Sequence, residues 1–138
     1  MLVYGGAIAQ AQAPAPYPQR NVLMIVPYSP GTGADIAARA LGPRLADRLK
    51  YSVVIDNRTG ATGIIGSDFV AKAAPDGHVL LMTATSFATT PALSAKLPFD
   101  PVKSFAPVVQ IAASQLTLVV HPQLPVDRKS TRLNSSHV

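Results

Sequence analysis

At 138 residues the chain is long enough to bury one sizeable core, since a domain of this size withdraws roughly 68% of its unfolded surface from water, and too short for two ordinary domains. With 48% hydrophobic and 14% charged residues it is not a disordered chain, and with no cysteine it forms no disulfide, thiolate nucleophile or cysteine-ligated zinc site. The net charge of +5 makes no nucleic-acid footprint, because Arg39, Arg44, Arg48, Lys72, Lys96 and Lys103 stand singly, without clustered cations and stacking aromatics.

Residues 1–16, "MLVYGGAIAQAQAPAP", combine a short apolar stretch with Ala9-Gln10-Ala11 and Ala11-Gln12-Ala13, the residue types a signal peptidase accepts, and read as the end of an export leader. No run reaches the ~18 apolar residues of a membrane span. "VLMIVPY" (22 to 28) is a near-continuous apolar run, expected of a strand covered on both faces in a parallel sheet. From Ala34 to Leu49 the residues Ile36, Ala40, Leu41, Leu45 and Leu49 predict one apolar helical face, with a kink or a division at Gly42-Pro43. "SVVIDN" (52 to 57) predicts a second strand, "IIGSDFVAKAA" (64 to 74) a second helix, Pro75-Asp76-Gly77 a turn, and "HVLLMTA" (78 to 84) a third strand. Short joins between alternating strands and helices imply right-handed crossovers and a parallel sheet. After a segment rich in turns and short helix, "VVQIAASQLTLVVH" (108 to 121) reads as one or two strands, with no internal repeat anywhere.

In an open α/β sheet, ligands sit where the carboxyl ends of the strands meet helix N-termini. Three joins fall there: Tyr28 to Asp35, Arg58 to Gly63, and Thr83 to Thr90, all rich in Gly, Ser, Thr or Ala. Small residues admit a ligand close to the backbone, and unpaired first-turn amides favour an anion. Gly31, Gly33, Gly60 and Gly63 also suit plain turns, and Asp35 suits a helix first turn, so one loop alone says little. Three on one edge point to a pocket for a small carboxylate.

A nucleotide-binding enzyme is the alternative, since Gly31-Thr32-Gly33 and Asp56 imitate part of a dinucleotide fingerprint, but Ile36 stands where its third glycine belongs. His78, His121 and His137 lack acids at ligand spacing and read as surface or loop histidines, so no metal or other cofactor is expected. Ser29 and Ser86 lack a nucleophile-elbow setting, and seven dispersed aspartates make no acid–base pair.

"YPQRNVLMIVPYSPGTGADIAARAL", "VVIDNRTGATGIIGSDFVAKAAPDG" and "PALSAKLPFDPVKSFAPV" resemble the Bug/TctC proteins, the extracytoplasmic solute-binding subunits of tripartite tricarboxylate transporters, over about residues 17 to 125. The resemblance implies an α/β, type II periplasmic binding protein fold of two lobes. This chain would supply the first lobe, a mostly parallel sheet with flanking helices, over 17–107. Crossing strands would follow at 108–125, and the chain would stop before the second lobe. It further implies a periplasmic location, no catalysis, a small organic acid as ligand and membrane transporter subunits as partners. By position, the implied ligand contacts are Tyr28, Ser29, Gly31, Thr32, Gly33 and Asp35 in the first loop, Gly60, Ala61, Thr62 and Gly63 in the second, and Thr83, Ala84, Thr85 and Ser86 in the third.

The family usually has glycine where Thr32, Thr62 and Lys50 stand, a hydroxyl residue at Ala34 and asparagine at Ile64. The helix cap at Lys50 should therefore differ from the glycine type. "DRKSTRLNSSHV" at 127 to 138 matches nothing expected after "HPQLP", and 126–138 reads as a foreign or disordered tail. One lobe alone encloses little of a ligand, so weak binding or an inactive fragment is the expectation for the isolated chain.

Overall fold

The computed structural model describes residues 16–94 and 96–114. Residues 1–15 of the leader, the later part of the segment expected to be strand, and the tail lie outside them. The chain divides into two compact units, Met1–Val108 and Val109–Val138.

In the first unit the elements run β1 (Val22–Val26), α1 (Gly33–Leu49), β2 (Val53–Asn57), a 3-10 turn (Ala61–Gly63), α2 (Ile64–Ala71), β3 (Val79–Leu81) and α3 (Ser86–Leu93). The three strands form one parallel sheet in the order β2-β1-β3. Val22 pairs with Val53 and Val26 with Asn57 on one side, and Leu23 pairs with Val79 and Ile25 with Leu81 on the other. Because β1 is central, its apolar run is buried as the sequence suggests: Val22, Ile25 and Val26 are fully enclosed and Met24 nearly so. All carboxyl ends of the strands consequently lie at one edge.

Helix α1 packs with a face rotated from the one its large residues predict, keeping Leu41 and Leu45 on the core but not Ile36 or Ala40. Ile36 is 61% exposed and Ala40 is exposed, while Asp35, Ala38 and Gly42 are buried and Ala34, Leu41 and Leu45 cover Met24 and Val26. Small residues decide this. A Cβ at Gly42 would stand 3.1 Å from Ile55 Cδ1, so the helix lies against β2 at a distance that a larger side chain would open. Nor does Pro43 divide the helix, which runs unbroken for 17 residues. Proline removes one hydrogen bond, to the carbonyl of Arg39, and both residues are exposed, so water is at hand to serve it.

Other boundaries shift as well. Helix α2 ends at Ala71, and β3 holds only Val79–Leu81, too short to use all of "HVLLMTA". Ser86 to Thr90, expected within the third loop, is the start of α3, where Thr89 and Thr90 hydroxyls donate to the Ser86 carbonyl at 3.2 and 2.7 Å. Phe99 and Phe105 pack on Phe87 of α3 with ring centroids 6.3 and 5.2 Å away, which fastens the Pro-rich segment after α3. His78, at the opposite edge of the sheet, is buried rather than a surface histidine: its Nε2 accepts the Gln19 amide at 3.2 Å and its ring lies 5.1 Å from that of Tyr17.

In the second unit the described residues, 109–114, are exposed and carry no regular structure. The strand expected at 108 to 121 is thus absent over 108–114, where no described strand pairs with it, and its remainder lies outside the described residues. No helix among the described residues is long and apolar enough to cross a membrane.

The cap of α1 also departs from expectation. Lys50 takes the left-handed conformation usual for glycine, with φ +60° and its amide bonded to the Ala46 carbonyl. A non-glycine residue there costs about 1–2 kcal/mol, of which glycine's greater freedom in the unfolded chain returns part. Lys50→Gly is therefore expected to stabilise the fold by about 1 kcal/mol, raising the thermal midpoint by several degrees. An unchanged or lower midpoint would contradict the strained cap.

Candidate functional site

Because the strands are parallel, the loops after β1, β2 and β3 rise from the same edge. Side chains then tie them together. The Tyr28 hydroxyl meets Thr83 Oγ1 at 2.9 Å and Ser86 Oγ at 2.7 Å, and it accepts the Ala84 amide at 3.2 Å, joining the first loop to the third. The second loop reaches the first through α2, which crosses it closely. A Cβ at Gly66 would stand 2.7 Å from the Arg58 carbonyl oxygen and 2.8 Å from Pro27 Cβ, so only glycine fits.

Asp35 carries the first loop. Its side chain is 3% exposed, yet every side of the carboxylate is met: Arg39 Nε donates to Oδ1 and Oδ2 at 3.1 and 3.0 Å, the Gly31 amide to Oδ2 at 2.9 Å, and Asn57 Nδ2 to Oδ1 at 2.9 Å. These partners hold its pKa at about 2, below the usual 3.8, the Arg39 bond most strongly and then the Gly31 amide, with burial pulling the other way. The first-turn position adds a favourable dipole. Asp35 therefore supports the loop from below, and its oxygens are engaged within the protein.

The second loop carries strain. Gly60, Ala61, Thr62 and Gly63 have φ of +129°, +44°, +56° and +94° in succession. For a β-branched residue such as Thr62 this is a rare conformation that only a surrounding structure maintains. Ile64 follows directly as the first residue of α2.

The structure sorts the sequence-derived site residues by depth. Ser29, Gly31, Gly33, Ala61, Thr62, Thr83, Ala84 and Thr85 are exposed on the rim; Tyr28, Thr32, Gly60 and Ser86 are half-buried; Asp35 and Gly63 are buried. Four amides are already used, Gly31 by Asp35, Thr32 by the Ser29 carbonyl, Gly63 by the Gly60 carbonyl and Ala84 by the Tyr28 hydroxyl. Among the described residues, the amides of Gly33, Ala34 and Asp35 in the first turn of α1, of Ala61 and Thr62, and of Thr85 and Ser86 form no hydrogen bond within the protein. Beneath Tyr28, Thr62 and Gly63 there is a cavity of about 10 Å³, enough for one water and far too small for a ligand, so an acid would have to lie on the rim itself. A wider groove of about 420 Å³ runs along Gly42, Pro43, Val53 and Ile55 between α1 and the edge strand, away from the three loops.

Nearby cations are occupied. Arg39 binds Asp35 and, through Nη2, Asn57 Oδ1 at 2.9 Å, while Arg58 binds Asp56 at 2.8 Å and lies 3.6 Å over the Phe69 ring. Asp56 is thereby paired, which weighs against the ribose-binding role of the nucleotide alternative. Asn57 and Arg39 escaped the sequence reading, because a lone asparagine at a strand end and an arginine on a helix carry no motif. No group of three or more metal-binding side chains occurs among the described residues.

Since the folded pKa of Asp35 is depressed, its contribution to stability is complete above about pH 4 and disappears as pH falls through about 2. Asp76, lowered to about 2 chiefly by Arg20, titrates in the same window. Asp35→Asn is expected to be less stable at pH 7 and to lose less stability on acidification from pH 4 to 2, with Asp35→Asn/Asp76→Asn flatter still. Urea unfolding across that range measures it, and an acid slope unaltered by Asp35→Asn would contradict the assigned partners.

The family model described as tripartite tricarboxylate transporter family receptor, TctC, matches residues 37–133. Protein BugT of Bordetella pertussis is 39% identical over 134 residues, 92% of this chain and 41% of that protein. Among solved structures, the periplasmic binding protein BugD is 39% identical with a TM-score of 0.61, covering 64% of this chain and 30% of its own. MatC from Rhodopseudomonas palustris with bound malate is 34% identical with a TM-score of 0.63, covering 69% and 33%. The chain thus spans about two fifths of that curated relative and a third or less of the matched structures.

Proposed function

The chain belongs to the tripartite tricarboxylate transporter receptor family, and from that premise we propose that it forms the first lobe of an exported solute-binding protein that captures a small di- or tricarboxylate for the membrane subunits of such a transporter. One observation carries the reading: three loops on one sheet edge, linked by Tyr28 and Gly66, present backbone amides that the protein itself leaves unpaired. An ionised carboxylate suits them, since it accepts several N–H bonds and gains from the dipole at the start of α1. Hydroxyls of Ser29, Thr62, Thr83 and Thr85 stand on the same rim and can serve a second carboxylate or a substrate hydroxyl. The malate held by MatC is an acid of this class.

Recognition by amides rather than free cations separates this site from a general anion patch. Arg39 and Arg58 already have partners, so charge alone does not hold the ligand; position and hydrogen-bond number do. Nothing in this arrangement supplies a nucleophile with its base, and the reading is transport without catalysis in the periplasm.

Titrating the ¹⁵N-labelled 138-residue chain with malate tests it. Amide shifts are expected at Gly33, Ala34, Thr62 and Thr85, with roughly millimolar affinity because one wall encloses little of the ligand. The neutral diamide of malate should move none of them. Equal responses to acid and diamide, or shifts confined to lysine-bearing surfaces, would overturn the reading, and micromolar affinity would overturn the single-wall account.

A further inference from the structure

We propose that Asn57 is a positioning residue for acid binding: from the end of β2 it sets the conformation of the first loop, and with it the amides at the start of α1, without touching the ligand. This rests on the reading above for its link to binding, but its geometric half stands alone. Asn57 Nδ2 donates to the Tyr28 carbonyl at 3.1 Å and to Asp35 Oδ1 at 2.9 Å, while its Oδ1 accepts Arg39 Nη2 at 2.9 Å. Two acceptors on one side and a donor on the other fix the orientation of the amide, and all three bonds belong to the first loop or α1.

The consequence follows from where these atoms lie. Tyr28 opens the loop and Gly31, bonded to Asp35, lies near its end, so Asn57 grips the loop at its start directly and near its end through Asp35. Asn57 itself is held in place by strand pairing with Val26 and by the Arg58 amide bonded to the Val26 carbonyl at 3.0 Å. It therefore ties the first loop to the rigid sheet, whereas the Tyr28 hydroxyl ties that loop only to the third loop and Thr32 only to Ser29 within it. The Tyr28 side chain, which organises the third loop, is carried on the same grip.

Charged groups facing Asn57 are Asp35 and Arg39 on α1, with Arg58 and its partner Asp56 beside it in sequence. Asn57→Ala removes both donors. Asn57→Asp keeps the size but sets a second carboxylate against Asp35, a clash that a proton can relieve by letting one acid donate to the other.

Amide hydrogen exchange on the 138-residue chain decides the geometric half. In Asn57→Ala, protection at Gly31, Thr32 and Ile36 is expected to fall roughly tenfold, as for the loss of one or two hydrogen bonds, while Met24 and Met82 keep theirs. In Asn57→Asp the same loop amides should be poorly protected at pH 7 and recover towards pH 4, which wild type does not do. Unchanged loop protection, or equal loss at loop and sheet including a failure to fold, would overturn the proposal. Malate titration of Asn57→Ala tests the other half, with affinity expected to fall at least threefold. If wild type shows no response to malate, the binding reading fails while exchange still decides the role of Asn57.

Discussion

A carboxylate withdrawn from water must find donors for its oxygens, and the placement of Asp35 imposes that requirement on the whole first loop. Lying in the first turn of α1 and facing the sheet, it is answered by Arg39 one turn along, by the Gly31 amide behind it and by Asn57 across the strand end. No member can move without leaving a buried charge unmatched, an outcome costly enough to fix the geometry. The loop is thereby shaped by an internal anion, and the amides at the start of α1 are held in place by it.

This requirement also explains how α1 lies on the sheet. Its large residues alone would turn Ile36 inward, yet burying Asp35 with its partners turns Ala38 and Gly42 inward instead, and the small faces let α1 approach Ile55. Packing and polar satisfaction agree on one orientation, which is how a marginal core of few large residues still specifies a single arrangement.

Much of the architecture was legible in the sequence. The run at Val22–Val26 gave the central strand because burial on both faces leaves no polar positions, and the glycine- and threonine-rich joins fall together at the carboxyl edge because strand–helix alternation forces parallel order. The face of α1 was legible only in part, at Leu41 and Leu45, since periodicity weighs residues by hydrophobicity and is blind to an acid whose partners come from elsewhere in the chain. Ser86 to Thr90 read as loop because threonine and Pro91 are weak helix formers, whereas α3 is supported by the Phe87–Phe99–Phe105 cluster formed with residues beyond it. Lys50 and Thr62 show the same limit: backbone conformations that favour glycine are kept by tertiary context with other residues in place.

The central claim is that amides at the carboxyl edge of the sheet, held ready by Asp35 and Tyr28, receive an acid. A crystal structure of the chain grown with malate tests it most directly. A malate carboxylate is expected within about 2.7–3.2 Å of the Gly33 and Ala34 amides, with the Asp35 bonds to Gly31 and Asn57 intact. Malate seated instead at the opposite edge near Arg20 and His78, or Asp35 swung out to leave those bonds broken, would contradict it.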